Sequence, residues 1–295
     1  MEPIFELISQ IFKSIYDWIV ANPIVSELIS NLIWVLLGAV ILYVYSKLLK
    51  PYSTALHYVL PFRFNKVPIH ICYGLVSPNP HNERFTIEEG DITALYTLVS
   101  LMNEVYGEKR IKVQSYIPTY HALETIDNLV SLSGPWWNKV TELYMGRLGS
   151  PVIFDRASDK VVFTDSNDQV KIFGTEKDAS ETPISCHGIV LVGEVRTAIG
   201  HKKYVVICGG NSYLSTYASV LVLQRLYTQK SMWVELYRKG LLNQKKWGVI
   251  FKVESISHAQ HDVLQNAPMN FAELNLTAVE YIPESKFKES FEYHF

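Results

Sequence analysis

The sequence predicts an α/β protein with an N-terminal amphipathic helix, one transmembrane helix, and a mainly parallel sheet carrying an antiparallel β insert. Three observations carry this reading. Residues Leu28 to Ser46 contain no charged side chain, and nearly all of them are apolar. From Ile69 onward, apolar β-branched runs alternate with helix-period segments, the pattern of successive βαβ units. Between Val152 and Phe173 that alternation gives way to three short β-rich runs, as an antiparallel insert requires.

Residues 1–22 form the first predicted element. Ile4, Ile8, Ile11, Ile15 and Ile19 recur at helical spacing, while Glu6, Gln10, Lys13 and Asp17 fall toward the other side. Such a helix lies along a bilayer surface or packs against copies of itself. Pro23 separates it from the transmembrane helix of residues 24–50. A helix rising ~1.5 Å per residue needs about 20 apolar residues to cross a ~30 Å hydrocarbon layer, and this run supplies them. Tyr43, Tyr45, Lys47 and Lys50 gather at one end, as a membrane interface favours. Only Lys13 precedes the span, whereas Lys47, Lys50, Arg63 and Lys66 follow it. The positive side is therefore the C-terminal side, which predicts a single-pass membrane protein with a cytoplasmic C-terminal domain.

Residues 51–67 read as a connector, 68–257 as the cytosolic α/β ligand-binding domain, and 258–295 as a C-terminal extension. Within the domain, strands are expected at 69–76, 111–117, 129–132, 188–195, 204–208 and 247–253, and helices at 91–106, 122–128, 137–148, 212–227 and 232–242. Residues 274–282 add a candidate edge strand. The order implies a Rossmann-like sheet, in which ligands bind at the carboxyl edge of the parallel strands.

Composition narrows the function classes. The net charge of −2 comes without a basic block, so no nucleic-acid polymer is expected as a partner. Cys72, Cys186 and Cys208 are odd in number, lack metal spacing and sit in or beside apolar runs, so they read as buried thiols in a reducing compartment. His258 and His261 are too few for a metal site. No cofactor fingerprint is present, and no cofactor or metal is expected.

Three polar turns are the candidate site. Gly209-Gly210-Asn211-Ser212, with Ser215 and Thr216 one turn later, joins an apolar strand to a long helix. Glycines there let a backbone approach a ligand, and the helix amides favour an anion. A plain turn with a Ser N-cap would read the same. Ser133-Gly134-Pro135 with Asn138 is a second such turn, and Gly74 to Asn79, with Ser77, a third. Parallel strands would place all three on one edge. Trp136-Trp137 beside the second turn stacks on a ligand or packs.

The arrangement Ser133-Gly134-Pro135-x-x-Asn138, the strand at Gly188-Ile189-Val190, and Gly209-Gly210-x-x-x-x-Ser215-Thr216 before a long helix resembles a prokaryotic domain family. That family carries a Gly-Gly-Pro-x-x-Asn turn and a downstream Gly-x-x-Gly-Thr turn, and is found in membrane-anchored and regulatory proteins. The resemblance covers residues 69–227. Ser133 replaces the first glycine, and Ser215 stands at the second glycine of the later turn. It implies a ligand-sensing α/β domain.

The expectation is a membrane-anchored sensor or effector whose partners are the lipid bilayer, a small anionic or nucleotide-like ligand, and further copies of itself in a homo-oligomer. Antiviral effectors activated by a nucleotide messenger share this layout, as an analogy of architecture. Two alternatives stand beside it. One is a membrane-bound nucleotide or nucleoside hydrolase using Glu194 or Asp91. The other is a structural anchor that recruits a protein partner. Asp91 also reads as a helix N-terminal charge against the dipole, and Glu194 as half of a surface ion pair.

Overall fold

The computed structural model describes residues 10, 13, 14, 16–18, 20–49, 60, 62, 67–74, 89–115, 123–155, 158, 160–164, 169–177, 183–196, 200–241, 244–255 and 274–288. The chain divides into two units, residues 1–51 and 52–295.

The first unit contains helix α1, Pro23–Leu49. Its stretch Pro23–Ile41 is long and apolar enough to cross a membrane. Ile24, Leu28, Leu32, Trp34, Val35 and Val40 all stand exposed. A helix that is apolar on every side needs a nonaqueous environment around it. Of the expected amphipathic helix, the described residues Gln10, Lys13, Ser14, Tyr16 to Trp18, Val20 and Ala21 are helical. Its apolar face at Ile4, Ile8, Ile11, Ile15 and Ile19 lies outside the described residues, as do most of the connector and residues 75–88, Ser77 among them.

The second unit is mixed α/β. Its main elements in chain order are β1 Ile69–Tyr73, α2 Glu89–Tyr106, β2 Ile111–Gln114, β3 Asn128–Leu132, α3 Lys139–Leu148, β4 Val152–Asp155, β5 Lys160–Thr164 and β6 Val170–Phe173. There follow β7 Glu176–Lys177, β8 Pro183–Arg196, β9 Lys202–Gly210, α4 Tyr213–Thr228, α5 Lys230–Arg238, β10 Lys246–Ser255 and β11 Leu274–Ile282. The central sheet has the order β11-β10-β8-β9-β3-β1-β2, with β7 paired to β8. It is mostly parallel in direction: β2, β1, β3 and β9 are adjacent and parallel, β10 and β7 run the same way, and β8 and β11 oppose them. β8 had to reverse. The connection between Arg196 and Lys202 is too short for a crossover helix, so β8 and β9 close as a hairpin.

Period-two alternation sends neighbouring side chains to opposite faces. On one face Ile71, Val130, Val206, Val190 and Val249 pack under α2 and α4, with Leu98, Met102, Leu214 and Leu223. On the other, Leu129, Val205, Ile207, Ile189 and Ile250 pack under α3 and a separate antiparallel sheet, β4-β5-β6, through Tyr144, Leu148, Phe154 and Phe163. The expected β insert is this small sheet. The expected edge strand at residues 274–282 is β11, antiparallel to β10 and continuous with the main sheet. Of the short helix expected at 122–128, Leu123 and Glu124 are helical, and β3 begins at Asn128.

One buried charge lies between β9 and α3. Lys203 is 1 % exposed, and its ammonium donates to the Leu123 carbonyl and, at 2.7 Å, to the Tyr144 hydroxyl. Arg147 and Glu124 pair beside it at 2.6 Å. Burial pulls the Lys203 pKa down to about 8, against the pull of Glu124 and with the push of Arg147. Below pH 8 both folded and unfolded chains carry this charge, and the fold bears its desolvation. Between pH 8 and the unfolded lysine value the folded chain binds fewer protons, so stability rises with pH. The expected result is that wild type gains on the order of 3 kcal/mol relative to Lys203→Met between pH 8 and 10.5. Urea unfolding across that range checks it, and parallel pH curves would remove the buried charge from the account.

Candidate functional site

The site begins with where three strands stop. β1, β3 and β9 are parallel and in register, Tyr73 beside Leu132 and Leu132 beside Cys208. Their next residues therefore emerge together at one edge. The Ser133 amide donates to the Cys208 carbonyl at 3.0 Å, which stitches the Ser133 and Gly209 turns together. A Cβ on Gly134 would overlap the carbonyl oxygen of Gly210, and one on Gly209 would lie 2.7 Å from that of Ser133. A Cβ on Gly74 would lie 2.6 Å from the carbonyl oxygen of Trp137, so the Gly74 turn abuts the Ser133 turn as well. Contacts this close between backbones are open only to glycine. Of the residues expected to meet, Gly74, Ser133, Gly134, Gly209 and Gly210 do so.

Ser133 is the strained point. It is 1 % exposed with φ at 88°, where a residue with a Cβ is uncommon. Its carbonyl accepts from Thr141 Oγ1 at 2.9 Å, and its hydroxyl donates to Asp91 Oδ2. Asp91 lies in the first turn of α2 and is 4 % exposed. The structure thus brings Asp91 into the site, 42 residues from its partner in sequence. A charge expected to answer a helix dipole is also the acceptor for a buried hydroxyl.

Several candidate side chains are occupied by the fold. Asn138, 3 % exposed, caps α3 by accepting from the Val140 amide at 3.0 Å. Its amide group faces the Cys72 and Leu132 carbonyls at 3.1 and 2.8 Å and Ser131 Oγ at 3.1 Å. It therefore joins the ends of β1 and β3 to α3, and nothing remains for a ligand. Ser212 and Ser215 form a reciprocal capping box at the start of α4, and Thr216 Oγ1 donates to the Ser212 carbonyl at 3.2 Å. For these side chains the plain-turn reading describes the geometry. Pro135 is buried behind Gly134.

Asn211 and two neighbours that the sequence left unassigned complete the edge. Asn211 is half-buried, and its Nδ2 donates to Thr175 Oγ1 at 2.6 Å. His187 rests its ring 5.2 Å from that of Phe173 and holds Nδ1 3.0 Å from the Gly174 carbonyl oxygen. Burial lowers its pKa, with the Gly174 carbonyl pulling the other way, so the imidazole is neutral at pH 7. Thr175 and His187 follow from no local motif; only β8 starting from this edge, antiparallel to β9, places them here.

Glu194 lies apart from the turns. It pairs with Tyr204 in the β8–β9 ladder, at the edge opposite the turns, and its carboxylate meets Lys202 at 3.1 Å. The hairpin reversal of β8 puts its C-terminal end there. Burial raises the Cys72 thiol to about 12, Cys186 to about 11 and Cys208 to about 12, so none is a thiolate at neutral pH. Among the described residues no group of three or more His, Cys, Asp or Glu side chains could hold a metal ion. His258 and His261 lie outside the described residues.

Comparison of the chain with protein-family models, with curated proteins and with solved structures yields no match.

Proposed function

We propose that this chain is a membrane-anchored sensor or effector whose cytosolic, Rossmann-like α/β unit binds a small anionic, nucleotide-derived ligand and signals by oligomerising at the membrane. The observation that carries the reading is the backbone contact of Gly134 with Gly210 and of Gly209 with Ser133 at one edge of the sheet. Parallel strands in the order β2-β1-β3-β9 support it, because ligands of open α/β sheets sit at that carboxyl edge. The buried carboxylate of Asp91 refines the ligand. A phosphate held against it would be repelled, whereas ribose hydroxyls or base N–H groups would be accepted. The anionic end then belongs on the amides that open α4, at the positive end of that helix. The apolar helix α1 supplies the anchor, and because a single span cannot by itself enclose a pore, any channel or disruption of the bilayer requires an assembly of copies.

One observation favours a second reading as a nucleotide or nucleoside hydrolase. Ser133 sits on a strained strand-to-helix turn with its hydroxyl bound to a buried carboxylate, as an activated nucleophile requires.

Thermal unfolding of the full-length chain in detergent, with a panel of nucleosides, nucleotides and cyclic nucleotides, tests both. A ligand at a hundred times its dissociation constant adds about 2.7 kcal/mol. The expected result is stabilisation by one class without turnover, and a smaller shift in Asn211→Ala. Turnover abolished in Asp91→Asn would instead establish the hydrolase. No shift with any member would leave the anchor that recruits a protein partner.

A further inference from the structure

A cavity of about 320 Å³ opens behind the second turn, away from the sheet edge, between α3 and β4. That is the size of a small-molecule site. Trp136 of the turn, Met145 and Gly146 of α3, and Ile153 of β4 form its walls. Ile153 is 62 % exposed, so the fold itself leaves this wall uncovered. A tryptophan and a methionine in one lining favour a flat aromatic ring over an aliphatic chain.

Two charged residues line the cavity, Glu142 and Lys288. They are not equivalent. Glu142 is already answered by Lys139 at 2.7 Å on the outer face of α3. Lys288 makes no ion pair with any described residue, and its backbone is held in place by its amide donating to the Gly149 carbonyl at 2.8 Å. Among the described residues the lining thus holds one carboxylate already in an ion pair and one lysine outside any, the latter on an anchored segment.

The geometry points to a second ligand site, for a small planar aromatic anion stacked on Trp136 with its acidic group on Lys288. It is separate from the edge where Gly134 and Gly210 meet and does not depend on what binds there. The Lys288 ammonium is solvent-exposed, so its contribution is modest. Removing it weakens an anionic ligand about fivefold and leaves a neutral analogue unchanged.

Saturation-transfer difference NMR on the full-length chain in lipid nanodiscs tests this with naphthalene-2-sulfonate and the uncharged naphthalene-2-sulfonamide. Both probes are expected to bind saturably to wild type. Lys288→Ala weakens the sulfonate about fivefold but not the sulfonamide. Gly146→Leu, which fills the cavity from α3, abolishes saturable binding of both. Ile153→Trp fills it from β4 and serves where the Gly146 variant melts early. Signal that does not saturate is partition into lipid and counts as no binding. Absence of saturable binding, or binding that survives both filling variants, overturns the site. An equal response of the two probes to Lys288→Ala overturns its anion selectivity.

Discussion

Gly134→Ala is expected to destabilise the α/β unit by about 3 kcal/mol, read as the shift in urea unfolding followed by tryptophan fluorescence. The methyl group would enter the space of the Gly210 carbonyl oxygen, which is backbone at the end of β9 and has no rotamer to escape into. Relief requires β3 and β9 to part at their carboxyl ends, which also strains the Ser133 amide bond to Cys208. Gly107→Ala provides the contrast. Gly107 has φ at 87° but open space around its Cβ direction, so that variant bears only the conformational cost of a left-handed alanine, about 1 kcal/mol. A Gly134→Ala cost no larger than that of Gly107→Ala would mean that the two turns are not in contact, and the shared edge would fall with them. Any ligand stabilisation at this edge is expected to disappear in the same variant.

Asn138→Asp is the second large effect, about 4 kcal/mol at pH 7. The two side chains have nearly the same shape, and the introduced carboxylate still accepts from the Val140 amide to cap α3. It can no longer donate to the Cys72 and Leu132 carbonyls, and it points a buried negative charge at both. The loss of hydrogen-bond donors thus separates from the loss of the cap. Asn138→Ala loses both functions without adding a charge. Burial raises the introduced carboxyl above the ordinary aspartate value. The folded variant then binds more protons than the unfolded one in mildly acidic solution, and its stability falls as pH rises through that range. Unfolding at pH 5 and pH 7 checks the sign. Equal stability of Asn138→Asp and wild type at pH 7 would show that Asn138 is free for a ligand after all.

Asn138 also shows how far the sequence reaches. The sequence offered Asn138 to a ligand, yet an Asn at the head of a helical run, closed eleven residues later by a glycine, is also the local pattern of a cap, since capping acts over three or four residues. That its amide group is spent on β1, 66 residues away, depends on β1 and β3 being neighbours. Ser212 and Ser215 are the same case: their spacing announces a capping box, and the structure leaves them that role. Asp91 is the reverse. Its local role as a dipole charge was legible, while its bond to Ser133 was not, because a helix N-terminus carries no record of which turn lies over it. The placing of Glu194 was illegible for a related reason. Strand period is local, but strand direction is not, and the hairpin with β9 sends the C-terminal end of β8 to the far edge.

By itself the sequence determined the apolar helix of the first unit, the alternation of strands and helices in the second, the small antiparallel sheet and the helix caps. Each depends on side chains within a few residues of one another, through hydrophobic period, turn chemistry and capping. Only the tertiary structure decided that the glycine turns touch, which polar side chains the fold consumes, and that a cavity opens behind Trp136. Those outcomes follow from strand order and direction, which burial on both faces of the sheet selects across the whole chain rather than within any segment of it.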